Sequence, residues 1–165
     1  MKLQEAEQLA FKILQAIEPC CERVQVAGSV RRRHGEPNDI DIVLIPKPFM
    51  WNQIQPLMRA ELDARQGIAG SQIIRMYIPF ANVPDGQVQV DFYAATEKTW
   101  GVLLLIRTGS TEHNLRLCTH AKALGMMLSA SRGVIENGEV VASRTEEEIF
   151  KALILPYVAP GDREA

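Results

Sequence analysis

One short run limits what this chain can become. Asp39-Ile40-Asp41-Ile42-Val43-Leu44-Ile45 sets two carboxylates at the head of an aliphatic stretch that stops at Pro46. Such a run reads as a buried strand. Residues two apart in a strand share a face, so Asp39 and Asp41 point the same way. Neighbouring carboxylates repel one another unless a cation sits between them. Mg²⁺ suits that place, because it is held by one or two carboxylates together with substrate phosphate oxygens. Just upstream, the short strand pattern Arg23 to Val26 runs into Gly28-Ser29, followed by Arg31, Arg32 and Arg33. A strand that turns into a helix at Gly-Ser aims backbone N–H groups at phosphate. Segment 27–45 therefore offers a metal edge and a phosphate edge.

Composition narrows the class. At 165 residues the chain makes one domain or two small ones. Its 47% hydrophobic and 23% charged residues are those of a globule, which excludes a disordered tail. No apolar run is long enough for a membrane span, and the N-terminus lacks a signal-peptide pattern, so no membrane partner and a cytoplasmic location are expected. Cys20, Cys21 and Cys118 lack the spacing of a disulfide framework or a zinc site. A net charge of −2 counts against strong nonspecific DNA binding. The acids Glu5, Glu7 and Glu146 to Glu148 lie toward the chain ends, however, whereas the arginine run sits beside the proposed site. Weak, salt-sensitive DNA affinity is expected.

Periodicity orders the remainder. Residues 3–18 have helical spacing and stop at Pro19; 49–66 read as a second helix, with Gly67 as its stop. Residues 72–80 and 88–93 alternate about a Pro84-Asp85-Gly86 turn and read as a hairpin. Asp91 sits inside the second arm with Val90 and Phe92 on the other face, a costly place for a carboxylate without a partner. Residues 96–108 form an apolar helix, and Thr108-Gly109-Ser110 leads into another carrying Asn114, Cys118, His120 and Lys122. A hairpin turns at Glu136-Asn137-Gly138, and Thr145-x-x-Glu148 is a capping box for a last helix running to Leu155.

The order Gly-Ser, arginine, Asp-x-Asp, then a third aspartate on a later strand resembles the DNA polymerase β nucleotidyltransferase superfamily, and its family X DNA polymerases in particular. The Thr-Gly-Ser segment with Asn114 and the closing Pro160-x-x-Arg163-Glu164 extend the resemblance over almost the whole chain. It implies an α/β (α+β) fold: a mixed, mostly antiparallel palm sheet with helices on one face over residues 1–95, then a small thumb-type α+β subdomain over 96–165, with the active site in the cleft between them. It implies two Mg²⁺ ions, replaceable by Mn²⁺, on Asp39, Asp41 and Asp91. Gly28, Ser29 and Arg32 would hold triphosphate, with Asn38 at a position where many relatives have glycine close to phosphate. Gly109, Ser110 and Asn114 would cover sugar and base. Arg31, Arg33, His120 and Lys122 are candidate DNA contacts.

The chain departs from the family pattern in places. Ile106-Arg107 stands where relatives often have Tyr-Phe, the gate against a ribose 2′-hydroxyl, so ribonucleotides as well as deoxynucleotides are candidate substrates. Cys118 replaces an arginine that tests the template pair, and Gln89 stands where some relatives carry an arginine two residues before the third aspartate, leaving that position without charge to tune Asp91. The implied function is that of a minimal DNA-directed polymerase, a monomer acting on primer-template or gapped DNA in repair or replication and nucleoid-associated when bound. With neither a lyase domain nor helix-hairpin-helix elements, it would fill a gap without removing a 5′ deoxyribose phosphate, and a protein partner would supply duplex grip. Two alternatives stand beside this reading. One is a template-independent transferase acting on RNA, single-stranded DNA or protein; the other is a non-catalytic binding module.

Overall fold

The computed structural model describes residues 1–164, and the chain divides into two compact units, Met1–Ala94 and Ala95–Ala165. The first unit is a five-stranded mixed sheet carrying helices. α1 (Leu3–Ile17) buries Ala6, Leu9, Ala10, Ile13 and Ile17 along one stripe, and the chain then tightens into a 3₁₀ turn around Pro19. β1 (Cys21–Val26), the short α2 (Gly28–Arg32) and β2 (Asp39–Pro46) follow.

The second helical stretch is shorter than its periodicity suggests. A 3₁₀ turn at Trp51–Gln53 precedes α3 (Ile54–Leu62), which ends in a left-handed Asp63. Pro56 lacks an N–H, so it is tolerated only in the first turn, and this sets where α3 begins. Gly67 is not a helix stop. It lies inside β3 (Arg65–Ala69), an edge strand pairing antiparallel with β4 (Ile73–Pro79), and a Cβ on it would crowd the Tyr77 ring at 2.8 Å.

β4 returns as β5 (Gln87–Ala94), and the sheet order is β1-β2-β5-β4-β3. Only β2 and β5 run parallel; the other neighbours are antiparallel. Ile40, Ile42 and Leu44 join Ile74, Met76, Ile78, Val88, Val90 and Phe92 in one core with α1 and α3. Each such side chain contributes about 1.5–3 kcal/mol by leaving water. Alternation sends the odd-numbered residues of β2, β4 and β5 to the opposite face.

In the second unit α4 (Trp100–Thr108), α5 (Thr111–Ala123) and α6 (Glu146–Ala152) enclose a core of Val102, Leu105, Leu117, Ile149 and Phe150 with a small sheet, β6 (Met127–Ser129), β7 (Gly133–Glu136) and β8 (Glu139–Ala142). Asn137 and Gly138, both at positive φ, turn β7 into β8. Gly101 lets α4 lie against the backbone of Thr145, where a Cβ would collide. The Thr145 hydroxyl accepts from the Glu148 amide at 3.1 Å, while the Glu148 carboxylate accepts from the amide of Arg144. The helix it opens ends at Ala152, before the expected Leu155.

Candidate active site

The site in the first unit begins where β1 ends. The Ala27 amide donates to the Asp41 carbonyl at 2.8 Å, so the chain enters its turn alongside the second aspartate. Gly28 has φ +61°, and a Cβ there would run into the Asp41 carboxylate. Both the left-handed backbone and this closeness require glycine. Gly28 is buried; Ser29, Arg31 and Arg32 are half-buried in the five residues of α2. Arg33 follows in left-handed conformation and pairs with Glu7 at 3.3 Å on the surface, a contact that contributes little.

Register brings the three aspartates to one face. Parallel pairing sets Asp41 opposite Asp91 and Asp39 opposite Gln89; antiparallel pairing sets Arg75 opposite Asp91 and Tyr77 opposite Gln89. Paired residues project to the same side of a sheet. Two polar rows therefore cross the face away from the helices, Arg75–Asp91–Asp41 and Tyr77–Gln89–Asp39. Asn38, Asp39, Tyr77, Asp85, Gln87 and Gln89 line a cavity of about 220 Å³ at the second row.

Asp91 is only 3% exposed, and both of its oxygens are engaged. Arg75 donates Nε to Oδ1 and Nη2 to Oδ2, each at 2.7 Å. Gln89 Nε2 and the Tyr93 hydroxyl also donate to Oδ2, at 3.3 and 3.2 Å. This corrects the expectation that charge beside Asp91 is missing. The arginine is supplied by β4 across the ladder instead of from two residues earlier on the same strand. The alternation of Ile74, Met76 and Ile78 already set Arg75 on the polar face, but only the strand register shows which residue it meets. The same bond holds the Arg75 guanidinium firmly protonated.

Asp39 is half-buried, and its carboxyl is pushed above the usual carboxylate range, first by burial and then by the negative charge of Asp91. The carboxylate oxygens of Asp39 and Asp41, on one face of β2, are the donor type that a hard divalent cation takes. Among the described residues no group of three His, Cys, Asp or Glu side chains is placed to hold a metal ion, and Asp91 is engaged with Arg75.

In the second unit Ile106 packs on the core and Arg107 is exposed. Gly109 is buried. Ser110 caps α5, its hydroxyl accepting from the His113 amide at 3.2 Å and donating to the Arg163 carbonyl at 2.7 Å. Asn114 donates Nδ2 to the Ile106 carbonyl at 2.8 Å, and its Oδ1 is buried without a hydrogen-bond partner. His120 Nε2 lies 2.8 Å from the Leu153 carbonyl, an intramolecular contact and not an outward one, whereas Lys122 and Cys118 are exposed. Burial holds the His113 imidazole down at about 4, with the Arg163 and Arg116 charges adding to the effect.

A mixed sheet with a parallel central pair, an Asp-x-Asp strand and a glycine turn pressed against its second aspartate is the architecture of the polymerase β-like fold. Residues 103–164 match the DNA polymerase beta thumb. DNA polymerase lambda of Rattus norvegicus is 29% identical over 184 aligned positions, covering 97% of this chain and 32% of the relative. The DNA polymerase/3′-5′ exonuclease PolX of Bacillus subtilis (strain 168) is 28% identical over 143 positions, covering 84% of this chain and 24% of the relative. The chain thus spans about a third and a quarter of these relatives. It is related to the family X DNA polymerases.

Proposed function

We propose that the chain transfers a nucleotide from a deoxynucleoside triphosphate to a primer 3′-hydroxyl on gapped DNA, as a minimal family X polymerase. The observation that carries this reading is the pairing of Asp41 with Asp91 across parallel strands, with Asp39 on the same face and Gly28 against Asp41. Asp39 and Asp41 would hold Mg²⁺ or Mn²⁺ with triphosphate oxygens. The bound metal supplies Lewis-acid stabilisation of the phosphoryl group and lowers the pKa of the attacking hydroxyl.

The protein's own groups do the positioning. Gly28, Ser29 and Arg32 receive the outer phosphates through backbone N–H groups, a hydroxyl and a guanidinium, with Asn38 beside them. Asp91, fixed in orientation by Arg75, faces the acceptor hydroxyl. Gly109, Ser110 and Asn114 cover sugar and base, with Ile106 and Arg107 beside the sugar. Arg31, Arg33 and Lys122 attract the DNA backbone, and a partner protein would add duplex grip.

A second reading, template-independent transfer, is favoured by one observation. By the family resemblance Ile106-Arg107 stands where a sugar-sensing Tyr-Phe pair is common, and Arg107 is exposed while Ile106 packs on the core. Primer extension separates the two. Purified protein is given gapped, recessed and single-stranded primers, with deoxy- and ribonucleotides in parallel and Asp91→Ala as control. Template-directed addition on gapped DNA, lost in Asp91→Ala, is expected. Addition to single strands alone would establish the second reading, and turnover retained by Asp91→Ala would remove this assignment of the site.

A further inference from the structure

The most completely buried cation in the second unit lies outside every site residue named above. The Arg163 side chain is 0% exposed. Its Nη1 donates to Glu146 Oε1 at 2.7 Å and its Nε to the Val158 carbonyl at 2.9 Å, and the guanidinium lies 5.6 Å from the ring centres of both Phe150 and Tyr157. A buried charge is tolerated only when paired and hydrogen-bonded; Nε and Nη1 are held in this way while Nη2 is buried without a partner, and these two bonds tie the tail to the second unit's core. The backbone of the same residue does something separate. The Arg163 carbonyl accepts from both the Ser110 hydroxyl, at 2.7 Å, and the Ser110 amide, at 3.3 Å. The Glu164 carbonyl adds a third, longer contact to that hydroxyl at 3.3 Å. Ser110 in turn caps α5 through the His113 amide, and the Asn114 amide donates to its carbonyl at 3.0 Å.

We propose that Arg163 is a positioning residue for segment 109–114. Its side chain locks the tail to α6 through Glu146, and its carbonyl, fixed by that lock, sets the Ser110 hydroxyl and with it the first turn of α5. The inference rests on segment 109–114 being the nucleotide-covering segment, since only then does its placement bear on substrate. A cap formed by Ser110 alone would need no tail. Here the cap hydroxyl also donates its single proton to the tail, so the orientation of α5's first turn depends on where Arg163 is anchored.

Two measurements test this. Arg163→Gln is compared with wild type by hydrogen exchange, read by mass spectrometry, and by steady-state extension of gapped DNA with dTTP as the varied nucleotide. Faster exchange confined to 109–114 and the tail is expected, with KM for dTTP raised about ten- to a hundredfold and kcat changed much less. Unchanged exchange at 109–114, or a loss confined to kcat, would overturn the proposal. Should Arg163→Gln fail to fold, Ser110→Ala removes the shorter, hydroxyl half of the same link from the other end while keeping the 3.3 Å amide bond and the ion pair. Faster exchange in residues 156–164 then supports the proposal, and unchanged exchange there overturns it. Exchange requires no turnover, so wild-type protein that extends no primer removes the polymerase reading, whereas a folded Arg163→Gln with unaltered exchange removes the clasp.

Discussion

Arg75→Met isolates the interaction on which the site face depends. The native pair is bidentate, with both bonds at 2.7 Å, and the carboxylate side is almost fully buried. Removing one partner of a fully buried ion pair costs about 3–5 kcal/mol, because the other charge is left without compensation. The Arg75 side chain is 29% exposed, so solvent already screens part of the interaction, and Gln89 and Tyr93 still donate to Asp91 Oδ2. The expected loss in metal-free buffer is therefore about 2 kcal/mol. For a unit of this size that lowers the melting temperature by roughly 10 °C. Trp51 lies in the first unit and Trp100 in the second, so Trp51 fluorescence in a Trp100→Phe background reports on the sheet during urea unfolding. Asp91→Asn in the Arg75→Met background should recover much of the loss, since no buried charge then remains unpaired. A single-variant loss below about 0.5 kcal/mol, or a double variant as unstable as the summed singles, would refute the reasoning.

Gly28→Ala would force a Cβ into the Asp41 carboxylate at a left-handed φ, and a loss of turnover of about a hundredfold or more is expected by primer extension, with only a small change in far-UV circular dichroism. Asp39→Asn removes a carboxylate whose ionised form opposes folding, so thermal melting in EDTA at pH 7 should show a higher midpoint than wild type, together with loss of the stabilisation by Mg²⁺ and nucleotide. His113 has a folded pKa of about 4, below its ordinary 6.5, so the unfolded chain takes up the proton first as pH falls. Stability of the second unit should therefore fall between pH 6.5 and 4, by up to about 3 kcal/mol, and His113→Phe should flatten that slope in urea titrations.

Much of this was legible in residues close together in the chain. The Asp39–Ile45 run forms β2, Gly28-Ser29 opens α2, and the Asn137-Gly138 and Thr145 signals fall at a hairpin turn and a helix start. Each rests on local chemistry: alternation, a left-handed residue, a side-chain cap. The missing pieces are long-range. β3 lacks an aliphatic pattern because it is an exposed edge, held by its ladder to β4. Arg75 could be assigned a face from its neighbours, but its partner Asp91 depends on a register that no short window contains. The distance in sequence from Arg163 to Ser110 and Glu146 hid the clasp in the same way. His113 stands in a polar stretch of sequence between Glu112 and Asn114, and only tertiary packing buries it.

The most direct test of the carboxylate face is Mn²⁺ binding, followed by electron paramagnetic resonance with a non-hydrolysable deoxynucleoside triphosphate analogue, in wild type and in Asp41→Asn. Nucleotide-dependent binding in wild type, weakened at least about tenfold in Asp41→Asn while the protein stays folded, is the expected result. Equal binding by the two proteins would contradict a metal–nucleotide site built on Asp39 and Asp41.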